Sequence, residues 1–129
     1  MDDQDFSLSE LQLALMRVLW ARGEAGNAEV AEALRLQQRP LAHTTVATLL
    51  TRLEKRGLLE ARRDGRALLY RPLVSEAQVQ RSMVSGLLGN LFAGQASALL
   101  SHLVDEKHVG ADELAQMKTL LAKKRGSHA

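Results

Sequence analysis

The sequence has no cysteine among its 129 residues, which excludes disulfides, thiolate metal sites and cysteine redox sensing on chemical grounds. Aromatic residues are scarce as well: Phe6, Trp20, Tyr70 and Phe92 are the full set, so any core is built from Leu, Val and Ala. Charges or glycine interrupt every apolar stretch well short of the roughly 20 residues that span a bilayer, and no membrane insertion is expected. Met1 to Asp5 carry three acidic residues where a secretory signal needs a basic start and an apolar run, so no export is expected and a soluble, cytoplasmic protein is. Also missing are a Gly-rich phosphate loop, a nucleophile elbow and a helical His pair with an intervening Glu, which argues against an enzyme. His43, His102, His108 and His128 are scattered; His102 and His108 stand too far apart round a helix to share a metal, and neither metal nor other cofactor is expected.

What is present is unevenly charged. The net charge is only +2, but residues 1–38 hold 3 basic and 7 acidic groups, while residues 39–71 hold 8 basic groups against 3 acidic ones. Arg39, Arg52, Lys55, Arg56, Arg62, Arg63, Arg66 and Arg71 make up that second set. If they share a face they form a footprint for a polyanion; if not, they are a solvated surface. Periodicity is the arbiter.

Ser7 and Ser9 are each suited to cap a first helix, in which Leu8, Leu11, Leu15, Met16 and Leu19 recur at helical spacing up to about Arg22. Gly23 to Gly26 break it, and Asn27 can cap a short second helix with Val30, Ala31 and Leu34 on one side, ending before Pro40. A third helix begins at His43 or Thr44, runs to Arg56 and stops at Gly57. Its Val46, Leu49, Leu50 and Leu53 fall at i, i+3, i+4 and i+7 and must face a core. Outward then point Thr44, Thr45, Thr48, Arg52, Lys55 and Arg56: short hydroxyls first, positive charge later. The second helix of a helix-turn-helix is arranged so, with short side chains meeting base edges and long basic ones reaching phosphates. An ordinary amphipathic helix is the plainer alternative, but Thr is a mediocre helix former, and Thr44, Thr45, Thr48 and Thr51 in one helix need another reason.

Leu58 to Arg63 reads as a strand, Asp64-Gly65 as a hairpin turn, and Arg66 to Arg71 as the returning strand, ended by Pro72. A hairpin directly after a recognition helix is a wing, and Arg62, Arg63 and Arg66 at its tip are placed to touch the phosphate backbone; the alternative is a hairpin that covers the core. Ser75 and Glu76 open a helix to about residue 93, weakened by Gly86 and Gly89, with Val79, Met83, Leu87, Leu88, Leu91 and Phe92 apolar. Another follows near 96–106 with Leu99, Leu100, Leu103 and Val104, and a last one begins after Asp112 with Leu114, Met117, Leu120 and Leu121. These short amphipathic helices cannot bury all their apolar faces within one chain. A two-fold partner supplies the missing half and pairs two DNA-reading modules with a palindrome, the alternative being a monomer folded back on the winged helix.

The expected fold is thus mainly α with a small β-hairpin wing. A winged helix-turn-helix at 7–73 is followed by a helical dimerisation region at 74–125, with flexible tails at 1–6 and 126–129 and fraying from Lys123. Dimerisation is assigned to Val79, Met83, Leu87, Leu88, Leu91, Phe92, Leu99, Leu103, Leu114, Met117, Leu120 and Leu121. DNA contact falls to His43, Thr44, Thr45, Thr48, Arg52, Lys55, Arg62, Arg63 and Arg66. The expected function is binding of double-stranded DNA by a homodimer, the alternative being a winged-helix module that binds protein. The basic wing and basic helix end argue against that alternative.

Leu8-Ser9-Glu10 with Met16 and Leu19-Trp20, Thr44-Thr45-Val46 through Thr48-Leu49-Leu50-Thr51-Arg52-Leu53, Lys55-Arg56-Gly57-Leu58-Leu59, the Tyr70 strand and Leu91-Phe92-Ala93-Gly94 together resemble the penicillinase-repressor family, the BlaI/MecI/CopY group of winged-helix regulators, over nearly the whole chain. The resemblance implies a transcriptional repressor, a homodimer held through its C-terminal helices on a palindromic double-stranded operator, with Thr44, Thr45 and Thr48 on bases and Arg52 and the wing arginines on the backbone. Relatives controlling β-lactam resistance often place basic residues inside the recognition helix, where this chain has Thr44 and Ala47. Those relatives are inactivated when a membrane receptor's signalling leads to a proteolytic cut after an Asn and before a Phe. The equivalent pair here is His102-Leu103, a departure from that pattern, and the paired cysteines of the copper-responsive branch are missing.

Overall fold

A computed structural model of the chain describes residues 6–127. Its elements are α1 (Glu10–Arg22), β1 (Ala25–Gly26), α2 (Asn27–Leu36), α3 (His43–Lys55), β2 (Leu59–Asp64), β3 (Ala67–Pro72), α4 (Glu76–Phe92), α5 (Ala96–Asp105) and α6 (Ala111–Ser127). They fall into two compact units that divide at Ser85/Gly86.

The first unit is organised around α1. Ser9 caps it: its Oγ accepts from the Gln12 N–H at 3.1 Å and the Gln12 side chain accepts from the Ser9 N–H at 3.0 Å, which satisfies two orphan donors at once. Leu15, Met16 and Leu19 of α1 are fully buried with Val30 and Leu34 of α2 and Val46, Leu50 and Leu53 of α3. Leu58, Leu59 and Tyr70 of the hairpin, Ala25 of β1, and Val74 and Val79 complete the core. The Trp20 indole N–H donates to the Val74 carbonyl at 2.9 Å and fastens the exit of the hairpin to α1. Among the described residues no polar or charged residue is buried.

The path from α3 into the hairpin is set by one glycine. Gly57 sits at φ 82°, where a side chain is disfavoured; its N–H bonds to the Glu54 carbonyl at 2.9 Å and the Leu58 N–H to the Leu53 carbonyl at 3.0 Å. That is a Schellman closure, and Leu53 and Leu58, both buried, supply its apolar contact. The same pair of bonds ends α2, Gln38 to Arg35 at 3.0 Å and Arg39 to Leu34 at 2.9 Å, but there the left-handed position is Gln38, at φ 62°.

Several expectations need correction. The hairpin turn is Gly65-Arg66, not Asp64-Gly65: Asp64 is the last residue of β2 and pairs with Ala67, because a two-residue loop wants positive φ at its first position and Gly65, at 66°, provides it. Residues 25–26 are not merely a break. They form a third strand that pairs antiparallel with β3, Ala25 opposite Tyr70 and Gly26 opposite Leu69, so the sheet order is β1-β3-β2. Asn27 does not cap α2. Gly26 occupies the cap position, its N–H held by Glu29 Oε1 at 2.8 Å, while the Asn27 amide donates to the His43 carbonyl at 3.2 Å.

The expected tails also differ. Phe6 packs half-buried against the core and its N–H donates to Ser82 Oγ at 3.1 Å, and α6 runs on to Ser127 instead of fraying from Lys123. Residues 1–5 and 128–129 of those tails lie outside the described residues. In place of a boundary at 73/74, α4 begins inside the first unit, opened by a reciprocal Ser75–Gln78 cap at 2.8 and 3.1 Å, and it continues through Gly86 and Gly89.

Candidate nucleic-acid interface

The helix-turn-helix is α2, the turn at residues 37–42 and α3. With Val46, Leu50 and Leu53 buried and Leu49 half-buried, the opposite side of α3 is fixed by helical geometry. Thr44, Thr48, Thr51 and Lys55 recur on it at i, i+4, i+7 and i+11, all exposed. Thr45 and Arg52 flank this stripe on one side and His43 on the other, and they are exposed too. Thr51 was absent from the residues assigned to DNA, although its spacing from Thr44 and Thr48 places it in the same row. The Thr48 hydroxyl donates to the Thr44 carbonyl at 3.0 Å. With its proton committed, Thr48 presents oxygen lone pairs and a methyl group outward, a surface suited to a base amino group or a thymine methyl.

The basic stretch separates into committed and uncommitted groups. Arg39 pairs with Glu10 at 2.8 Å, Arg71 with Glu60 at 2.6 Å, and Arg62 holds both Glu24 oxygens at 2.7 Å. Arg56 donates to the Ser7 carbonyl at 2.8 Å. The hydrogen bond from Arg39 holds the Glu10 carboxyl below its usual pKa, and that from Arg62 does the same to Glu24, with the charge of Arg71 adding to it. Left without hydrogen-bond or ion-pair partners among the described residues are Arg52 and Lys55 on α3, and Arg63 and Arg66 at the end of the hairpin. The expectation that Arg62 shares the tip with them is corrected: it stands in the third pair from the turn and is tied to a residue 38 positions away.

The residues assigned to dimerisation also divide. Val79 is buried in the first unit's core, so it is not available to a second chain, whereas Met83 packs against that core half-buried; helical periodicity shows which side of α4 is apolar but not what covers it. In the second unit Leu87, Leu91, Met117, Leu120 and Leu121 are exposed, Leu91 at 68% and Leu120 at 63%. Leu88, Phe92, Leu99, Leu103 and Leu114 are half-buried. Between α4 and α5 lies an open groove of about 620 Å³ lined by Leu87, Leu91, Phe92, Leu99, His102 and Leu103 among others. The His102 ring tilts against Phe92 with centroids 5.6 Å apart. The His102-Leu103 bond lies inside α5, so a protease would have to unwind that helix to reach it. No single helix among the described residues is long and apolar enough to cross a membrane.

The chain is similar to several known proteins. The transcriptional regulator BlaI of Mycobacterium tuberculosis is 38% identical over 123 residues, covering 94% of this chain and 87% of the relative. The methicillin resistance regulatory protein MecI of Staphylococcus aureus is 23% identical over 124 residues, covering 96% of this chain and all of that one. Among solved structures, the DNA-binding domain of the repressor BlaI superposes with a TM-score of 0.50 and 28% identity, over 60% of this chain and 92% of that domain. Since residues 8–123 also match the penicillinase repressor family as a whole, the chain belongs to that family and its first unit is a winged helix.

Proposed function

We propose that this chain, a DNA-binding transcriptional repressor by its family, occupies a palindromic operator as a cytoplasmic homodimer, with α3 in the major groove and the β2–β3 wing on the backbone. The observation that carries the reading is the exposed threonine row of α3 set beside four uncommitted cations, Arg52, Lys55, Arg63 and Arg66. Short polar side chains admit close approach to base edges, and unpaired guanidinium and ammonium groups are free for phosphate. The likeness to the DNA-binding domain of BlaI supports the same placement. Dimerisation is supported by the second unit, whose described side chains include none that is fully buried; a second copy would cover the exposed leucines of α4 and α6 and set two recognition helices on two half-sites. Repression is then steric, and release follows loss of the dimer.

The test is titration of the purified protein against its own upstream intergenic DNA and a scrambled duplex at two salt concentrations, with the stoichiometry determined. Selective binding by two chains that weakens steeply with salt is the expected result; equal affinity for both duplexes would instead point to a winged helix that binds protein. Within the operator complex, Arg52→Ala should weaken all sequences alike and flatten the salt slope by about one unit, whereas Thr48→Ala should mainly relax base preference. Equal effects on every sequence would defeat that division.

A further inference from the structure

Arg62 belongs to the stretch expected to grip phosphate, yet the fold has already engaged it. Both of its contacts to Glu24, from Nε and from one terminal nitrogen, measure 2.7 Å, the bidentate geometry in which a planar guanidinium matches a carboxylate best. Glu24 directly precedes β1, on one edge of the sheet, and Arg62 lies in β2 on the other, with β3 between them. The pair therefore spans all three strands. β1 contributes only two residues to the ladder, Ala25 and Gly26, paired with Tyr70 and Leu69 of β3. Strand pairing sets Arg71 opposite Glu60, and this second ion pair, at 2.6 Å, places another positive charge near Glu24.

We propose that Glu24 and Arg62 are positioning residues of the wing: a strap across the sheet that aims the hairpin end, so that Arg63 and Arg66, and not Arg62, meet the DNA backbone. This rests on the operator-binding reading above. Beyond Leu69 the hairpin is a two-stranded ribbon, marginal alone; a bidentate clasp in the third pair from the turn restrains its twist where the tip needs direction. For Arg62 to reach a phosphate it would have to release both carboxylate oxygens, a step that Arg63 and Arg66 are spared.

The experiment is a double-mutant cycle in the full chain with Glu24→Gln, Arg62→Gln and the pair together. Operator affinity is measured across a salt series, and amide hydrogen exchange of β2 and β3 is followed in the free protein. The strap predicts that Arg62→Gln lowers affinity about two- to fivefold in the parent chain but less than about twofold in the Glu24→Gln background. The salt slope should stay unchanged, and exchange at the wing should quicken equally in all three variants. A slope reduced by about one unit in Arg62→Gln, an undiminished loss in the Glu24→Gln background, or unaltered wing exchange would each overturn the proposal. If the parent chain failed to select operator over scrambled DNA, the operator reading would fall, while the exchange data would still decide whether the strap holds the wing.

Discussion

Leucine-rich amphipathic helices occur on both sides of Ser85, but they meet different fates. Before it, Leu15, Leu19, Leu34, Leu50 and Leu53 are sealed from solvent by three helices and a small sheet. After it, no described side chain is buried, and Leu91, Leu120 and Leu121 are at least 60% exposed. The contrast runs through a single helix, since Val79 is 1% exposed and Leu91, twelve residues later in α4, is 68% exposed. Apolar periodicity thus reports that a face needs covering, while the same chain supplies the cover in one unit and leaves the face exposed in the other.

The sharpest way to break this contrast is to cut the same side chain from each unit. Leu50→Ala should destabilise the winged helix by about 2–5 kcal/mol in urea unfolding, because its neighbours cannot collapse fully into the space. Leu120→Ala should change that transition by no more than about 0.5 kcal/mol. A comparable loss from Leu120→Ala would show that the second unit is closed after all.

A smaller effect, read on a different axis, sharpens the comparison. Leu91→Asp places a charge on the exposed face of α4 and should weaken self-association at least tenfold, about 1.4 kcal/mol, in sedimentation equilibrium. The thermal midpoint of the winged helix should be unmoved. Retention of a two-chain species would mean that the dimer lies elsewhere.

Smallest of all should be Gln38→Gly. Gln38 occupies the left-handed position that closes α2, and glycine removes the steric cost there while adding chain entropy to the unfolded state, for a net gain of up to about 1 kcal/mol. A loss of stability would show that the Gln38 side chain contributes more than its backbone strain costs.

Sequence reading reached the helices because their apolar spacings are long enough to be periodic, and it reached the wing because a glycine-bearing turn between two short runs has few other uses. The family resemblance drawn from the same motifs agrees with the match over residues 8–123. β1 was out of reach, since two residues carry no alternation and the strand exists only because β3 offers it a free edge. The commitments of Arg39, Arg62 and Arg71 were equally hidden: each partner lies 11 or more positions away, and a charge count cannot tell a paired arginine from a free one. Thr51 was legible by spacing and overlooked, whereas the burial of Val79 follows from packing that its own helix does not encode.

The Gly57 closure makes the recognition helix and the wing behave as one ruler. Leu53 and Leu58 are locked by a single six-residue hydrogen-bonded loop, so no slack separates the threonine row from the base of the wing, whose far end the Glu24–Arg62 clasp then aims. In the proposed operator complex, substitutions along α3 would therefore rewrite which bases are preferred without moving the point at which the tip meets the backbone. An insertion at the closure would do the reverse, shifting the grip to a neighbouring phosphate while leaving the bases read by α3 unchanged.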